Sequence, residues 1–512
     1  MTADEALTKR SEVDAAVLPW IQSNHQILLI EGPPGCGKTS WVKLFAGVGS
    51  VCDAGGLQLA KVVAHHYCSR YDTRSGSAVH FLEKLAQGLA ANDSGFALAF
   101  LAKSGQRRMA SLEIEIDQAG AINPSAIGAV IHNLILRQIP LADLLHEIMD
   151  PLEVVLTAPG PDCLVVVDAP DEPSTTDVAE LLLALGNMPR RLRWIITARS
   201  GTSFVERMAN SGCGHLDLRA IAADGAAVAK FVSERAKSLG LLDRLPSGLA
   251  DQMFVDALVE RAGGNFLVAR CALDALAATQ GLIDLAVVAA LPRKLAAFYL
   301  DFMHRLIDDA EWKRTWLDSW APVVGSLAVA KDGIAEEELA ILTGLREDVV
   351  GERLSRLGSY VVRGPSGFRF FHATFAEFLL DKVEARKFHC PESLQHARFL
   401  SWIESYPAWS DVPAYGLVNY VGHVVSAALP GMADQLDQTA GTDFVIARLD
   451  GGAEPYAFIS DFRLALETCS SQGWVDRTLF WTLALAHWQD RAGMSSGSAT
   501  TTLLAVTGQC QP

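Results

Sequence analysis

Between Gln26 and Ala198 the chain alternates short, unbroken apolar runs with longer stretches of helical spacing. QILLIEG opens this pattern and leads through a Gly-rich turn into a helical stretch ending near Phe45. KVVAHHYC (Lys61–Cys68), CLVVVDA (Cys163–Ala169) and RWIITA (Arg193–Ala198) predict three more strands, and HLDL (His215–Leu218) a fifth. Continuous β-branched runs suit strands buried on both faces, as in a parallel sheet with helices between the strands. About 95 residues separate the second and third runs. Within them SLEIEID (Ser111–Asp117) alternates with period two, which predicts a small β insertion flanked by helices.

Beyond about residue 220 the spacing is helical. SYVVRGPSGFRFFHA then places two apolar runs around a Gly-Pro-Ser-Gly turn, and helices followed by such a hairpin have the order of a winged helix. The expected organisation is a lead-in (1–25), a phosphate-loop nucleotide-binding domain (26–220), a helical lid (221–308), a winged helix (309–388) and an α-helical C-terminal region (389–512). That leaves little room for a catalytic effector in front or a long repeat sensor behind. No repeat of 30–50 residues is visible.

Composition adds limits. With 512 residues, half of them hydrophobic and 20% charged, the chain has the make-up of a globular protein of several domains. A net charge of −16 argues against general coating of nucleic acid or anionic membrane. The nine cysteines never reach a CxxC spacing, which suits a reducing cytosol and offers neither a disulfide framework nor a zinc cluster. The N-terminus lacks an apolar signal core, and no apolar run nears the ~20 residues of a spanning helix. The expected location is the cytoplasm.

The sharpest signal is Gly32-Pro33-Pro34-Gly35-Cys36-Gly37-Lys38-Thr39-Ser40, which matches GxxxxGK[ST] between a predicted strand and a predicted helix. Glycines let backbone N–H groups turn toward phosphates, and the helix N-terminus adds a favourable field. Lys38 would reach the β- and γ-phosphates, and the Thr39 hydroxyl would bind Mg²⁺. LVVVDAPDE supplies the acidic half: Asp168 ends an apolar strand where it can hold Mg²⁺, and Asp171 or Glu172 can orient an attacking water. Arg199 follows the next strand at the same sheet edge, where it could sense a γ-phosphate; a plain surface arginine would read the same way.

GPPGCGKTS, AHHYCSRYD, LVVVDAPDE, RWIITARS, GGNFLVAR, LPRKLAAFYLDFMHRL and FRFFHATFAEFL occur in the order and spacing of NACHT-type STAND ATPases, which the chain resembles over roughly residues 10–425. These signalling ATPases include NOD-like receptors and bacterial relatives, several of them in anti-phage defence. The resemblance implies an ATP/ADP switch that hydrolyses slowly and oligomerises when triggered. It also implies Lys38 and Thr39 as phosphate and Mg²⁺ contacts, Asp168 as the metal acid, Asp171 and Glu172 as hydrolytic acids, and Arg199 as a sensor. His372 falls on the winged-helix histidine that touches the ADP β-phosphate at rest. Two departures stand out. Phe266 replaces the proline that lies against adenine in related families, and Ala169 replaces the glycine often found after the metal acid.

Other features have plainer readings. His372 sits among Phe368, Phe370, Phe371, Phe375 and Phe378, a setting that by itself more often holds a satisfied core histidine. In HHYC only two of His65, His66 and Cys68 share a strand face, so packing is favoured over a metal site. Trp312, Trp316 and Trp320 predict a helical core stripe; Trp474, Trp481 and Trp488 predict one helix face, with a partner interface as the alternative. Two other functions remain open. A winged helix could serve a nucleotide-switched transcriptional regulator, although residues 331–380 carry six basic residues against eight acidic ones. An AAA-type remodelling ATPase would share the phosphate loop. Trigger, effector and oligomer size are not legible.

Overall fold

The structure is a computed structural model that describes residues 8–48, 50–52, 58–93, 95–100, 141–156, 160–173, 177–185, 188–189, 191–221, 225–307, 312–451 and 457–492. The β insertion expected at Ser111–Asp117 lies outside the described residues. Two units divide the chain, one within Thr2–Val130 and Leu145–Phe302, the other within Ile131–Leu144 and Met303–Pro512.

The first unit is built on strands β1 (Ile27–Gly32), β2 (Ser50–Cys52), β3 (Gln58–Tyr67), β4 (Asp162–Asp168), β5 (Leu192–Arg199) and β6 (Gly214–Asp217), in the spatial order β2-β3-β4-β5-β1-β6. Five strands run parallel, and β2 pairs antiparallel with β3 at one edge. Successive residues of the central strands are buried on opposite faces: Leu29 and Ile30, Val166 and Val167, and Trp194 and Ile195 are each 0% exposed. That two-sided burial is why these strands read as unbroken apolar runs.

The first residues are more than a lead-in. Helix α1 (Ser11–Ile21) presents Val13, Val17, Trp20 and Ile21, spaced for one helix face, to a core shared with Leu28 and Ile30 of β1 and Leu164 and Val166 of β4. Helix α2 (Lys38–Val48) adds Trp41, Val42 and Phe45 to the same core. The Trp41 indole N–H donates to Asp14 of α1 at 2.9 Å. Helix α3 (Ala78–Asn92) packs beside β3. After β6 come further helices, including α4 (Asp251–Ala262) and α5 (Phe266–Ala278). The turn between these two, Gly263-Gly264, has both glycines at positive φ, where a side chain would be strained.

In the second unit a helix from Trp312 passes through one π-helical turn, Trp316–Trp320, into α6 (Ala321–Val329). Trp316 and Trp320 are buried, as the stripe predicts. Helices α7 (Glu336–Thr343) and α8 (Glu347–Leu357) precede a hairpin of β7 (Val361–Gly364) and β8 (Gly367–Phe370), and α9 (Ala373–Leu380) follows it. Gly367 has φ +118°, and a Cβ there would lie 2.2 Å from the Ile334 carbonyl, so the turn requires glycine. Phe370, Phe375 and Phe378 are buried together. Helices α10 (Glu392–Ile403), α11 (Ala414–Ala427), α12 (Ala457–Ser471) and α13 (Val475–Ala492) belong to the remainder. Trp481 of α13 is fully buried, whereas Trp474 is half-buried.

Candidate functional site

The parallel register sets the site. Asp168 pairs with Thr197, which also pairs with Ile30, and Arg199 pairs with Gly32. The strand bearing Arg199 therefore lies between the strand that leads into the phosphate loop and the strand that ends in Asp168. All three finish at one sheet edge, where an open parallel sheet binds ligands.

The loop itself depends on glycine. Gly35 and Gly37 have φ of +78° and +87°. A Cβ on Gly32 would lie 2.7 Å from the Cys36 sulfur, and one on Gly35 only 2.5 Å from Leu267. Cys36 is buried and Lys38 is 8% exposed. The Lys38 ammonium donates to the carbonyls of Gly32 at 2.6 Å and Pro33 at 3.1 Å, so its charge sits inside the loop. Thr39 is exposed and Ser40 half-buried on the first turn of α2.

Asp168 is 1% exposed. It accepts hydrogen bonds from the Thr197 and Thr39 hydroxyls. Burial pushes its carboxyl above the ordinary range, and the two hydroxyl donors and Lys38 oppose that shift. A carboxylate touching an exposed hydroxyl at the head of the loop is a set of hard oxygen donors that fits Mg²⁺, whose charge would reverse the burial effect.

Asp171 and Glu172 lie just beyond. One Asp171 oxygen accepts from the Arg199 backbone N–H at 3.2 Å. The other, Oδ1, is buried and has no partner among the described residues. Burial raises this carboxyl as well. Glu172 accepts from the Arg199 guanidinium at 2.8 and 3.3 Å. Arg199 is thus joined to both acids. Ala169, between them and Asp168, has φ +54°, a left-handed backbone that favours glycine.

Phe266 starts α5 against the loop: a Cβ on Gly37 would lie 3.2 Å from its ring. Its ring also meets Phe231 edge-on and the Arg10 guanidinium at 5.6 Å. Arg10 and Asn265 are site residues that the sequence reading missed. Arg10 is 3% exposed and donates to the Cys36 carbonyl at 2.7 Å. Asn265 donates to the Pro34 carbonyl at 2.8 Å. Only their positions, just before α1 and just before α5, could have hinted at this. Beside the loop a cleft of about 460 Å³ is lined by Pro33, Cys36, Leu218, Arg219, Val259 and Asn265, among others.

His372 belongs to the second unit. It is half-buried and caps α9, its Nδ1 accepting from the Thr374 N–H at 3.2 Å. The His66 Nε2–H donates to the Ser75 carbonyl at 2.7 Å, and the Cys68 thiol donates to the same oxygen at 3.4 Å, whereas His65 is exposed. Among the described residues no cluster of His, Cys, Asp and Glu could hold a metal by itself, and no helix is long and apolar enough to cross a membrane.

Residues 11–199 match the family model described as nephrocystin 3, N-terminal. No curated protein matches the chain. Among solved structures, a Signal Transduction ATPase with Numerous Domains (STAND) protein with a tetratricopeptide repeat sensor from Pyrococcus horikoshii aligns at 13% identity and TM-score 0.45. The alignment covers 99% of this chain, which spans 65% of that protein's length. Cdc6p from Pyrobaculum aerophilum aligns at 12% identity and TM-score 0.28, over 75% of this chain and 96% of that one. The match over residues 11–199 is the informative one: it begins with α1 and ends on Arg199, the span that contains the loop and all three acids.

Proposed function

We propose that this chain is an ATP/ADP-binding, slowly hydrolysing P-loop NTPase of STAND type, acting as a signalling switch that self-associates when activated. The observation that carries the reading is the meeting of Lys38, Thr39, Asp168 and the Asp171–Glu172–Arg199 group at the ends of three adjacent parallel strands. In this reading the loop amides and Lys38 bind the β- and γ-phosphates, and the neighbouring cleft has room for the nucleoside. Thr39 and Asp168 would hold Mg²⁺, which supplies charge neutralisation to the transferring phosphoryl group. Asp171, whose Oδ1 has no partner among the described residues, and Glu172 orient the water. Arg199 trades its bond to Glu172 for the nucleotide, which links hydrolysis to the state of the site.

One observation weighs against the transcriptional reading. Arg353 and Arg356 of α8 lie over the Trp320 ring at 4.8 and 5.3 Å, and Arg353 also donates to Ser319. The helix that would read DNA spends its basic side chains on its own unit. A role in anti-phage defence and a cytoplasmic location remain part of the proposal.

The test is twofold. Glu172→Gln should slow ATP hydrolysis by about a hundredfold with ATP still bound, and unchanged turnover removes Glu172 from the reaction. Sizing of the wild-type chain with ADP and with ATP should show a monomer becoming an oligomer; the same size with both nucleotides overturns the switch. For the proposed ADP contact of His372, the informative variant is His372→Asn, since asparagine preserves the helix cap. It should raise the oligomer fraction in ATP.

A further inference from the structure

A phosphate loop works by turning peptide N–H groups inward, and a trans peptide sets its N–H opposite its C=O. Each inward N–H therefore leaves the preceding carbonyl facing outward, where it needs a donor. The carbonyls of this loop are fully accounted for. Gly32 and Pro33 accept from Lys38, and Gly37 accepts from the Trp41 N–H at 3.0 Å. Those donors lie within the motif and its own helix. The middle three come from elsewhere. Pro34 accepts from the Asn265 amide at 2.8 Å, Gly35 from the Leu267 N–H at 3.3 Å, and Cys36 from Arg10 at 2.7 Å.

Asn265 is bonded at both ends. Its amide nitrogen holds the loop, and its oxygen caps α5 by accepting from the N–H groups of Leu267 and Val268 at 3.0 and 3.1 Å. Arg10 spans the same junction, with its guanidinium against Phe266 of α5 and its Nε donating to Glu12 at 2.8 Å. Fixing the Pro34 carbonyl outward turns the Gly35 N–H inward, and fixing that of Cys36 does the same for Gly37.

We propose that Arg10 and Asn265 are positioning residues for the phosphate loop, so that tight phosphate binding requires α5 to be docked against it. Displacing α5 would then release bound nucleotide without any change in Lys38. This rests on the reading of the loop as a nucleotide site.

The full-length chain tests it with two variants on different elements. Arg10→Met keeps an apolar stem and loses the donors. Asn265→Ser keeps a capping oxygen but is too short to reach Pro34. The measurements are ADP affinity by calorimetry, steady-state ATP hydrolysis, and melting of the nucleotide-free protein. Each variant should weaken ADP and raise KM for ATP by roughly tenfold or more, with kcat within about threefold and melting within a few degrees. Wild-type ADP affinity in Asn265→Ser overturns the coupling to α5, and wild-type affinity in Arg10→Met removes Arg10. A kcat loss as large as the KM rise also overturns the proposal. If Arg10→Met melts early, Asn265→Ser decides alone. A wild-type chain that binds no ADP, or a Lys38→Ala chain that binds it equally well, means that the nucleotide reading itself has failed.

Discussion

Two buried polar centres, one in each unit, are built on opposite principles. In the second unit Tyr415 and His423 of α11 meet His396 of α10. The Lys331 N–H donates to the Tyr415 oxygen at 3.0 Å, Tyr415 lies 3.1 Å from His423 Nε2, and the two histidine Nδ1 atoms are 2.7 Å apart. His396 Nε2 then faces Glu392 at 3.7 Å. The three hydrogen bonds can all run in one direction, from Lys331 through Tyr415 and His423 to His396, with both histidines neutral. Burial drives His423 well below its ordinary pKa, in keeping with that neutrality. The site of the first unit is left open. Asp171 keeps a buried oxygen without a partner among the described residues, and Lys38 spends its charge on two neutral carbonyls. A polar network that closes on itself gives shape; one left open has capacity for a ligand.

The largest effect that could break this contrast is Lys38→Ala. It should lower ADP affinity by about a hundredfold or more while leaving the fold intact by circular dichroism; retained affinity would mean that the open site is not a phosphate site. His423→Phe should do the reverse. It should cost about 2–4 kcal/mol of stability, because Tyr415 and His396 each lose a partner, and leave ADP affinity nearly unchanged. A loss under about 0.5 kcal/mol in chemical denaturation would show that the closed chain is not structural.

Acid sharpens the comparison further. His66 in the first unit is held down to about 4, chiefly by burial. Its folded pKa lies below its unfolded one, so the unfolded chain binds more protons in between. Stability is therefore complete above about pH 6.5 and falls as pH drops toward 4, by at most ~1.4 kcal/mol per pH unit for each such group. His423 shifts in the same direction and adds to the loss. The raised carboxyls of Asp168 and Asp171 act in the opposite direction, so the check is the wild type against His66→Phe: a wild-type denaturation midpoint that does not drop relative to the variant between pH 7 and 4.5 would contradict neutral burial of His66. Ala169→Gly is the smallest change. Relieving the left-handed backbone at φ +54° should stabilise by no more than about 1 kcal/mol, since glycine also frees the unfolded chain. A clear loss of melting temperature would count against strain there.

Five of the six strands, the phosphate-loop motif and the three acids were legible because each is written in consecutive residues, whereas the three-residue β2 is too short to leave a pattern. Two-sided burial gives an unbroken run such as Leu164–Val167, and a glycine at positive φ has few substitutes. What stayed hidden depends on distance along the chain. Strand order places β5 between β1 and β4, although Ile27 of β1 and its partner Trp194 of β5 are 167 positions apart, and no local spacing encodes such a neighbour. Arg10 reads as one more basic residue in a polar start until the Cys36 carbonyl is found beside it. Val13, Val17, Trp20 and Ile21 do have helical spacing, but only the fold shows that they enter the sheet's core. Ala169 in place of glycine was visible as a departure; its backbone cost was not.

The sheet also limits how copies of the chain can join. Among the described residues its border strands, β2 and β6, are only three and four residues long. Strands that short offer almost no ladder for another chain to extend, which is a common protection against runaway aggregation. Assembly driven by nucleotide would therefore proceed through side-chain surfaces, and such contacts can be undone without opening any strand pairing.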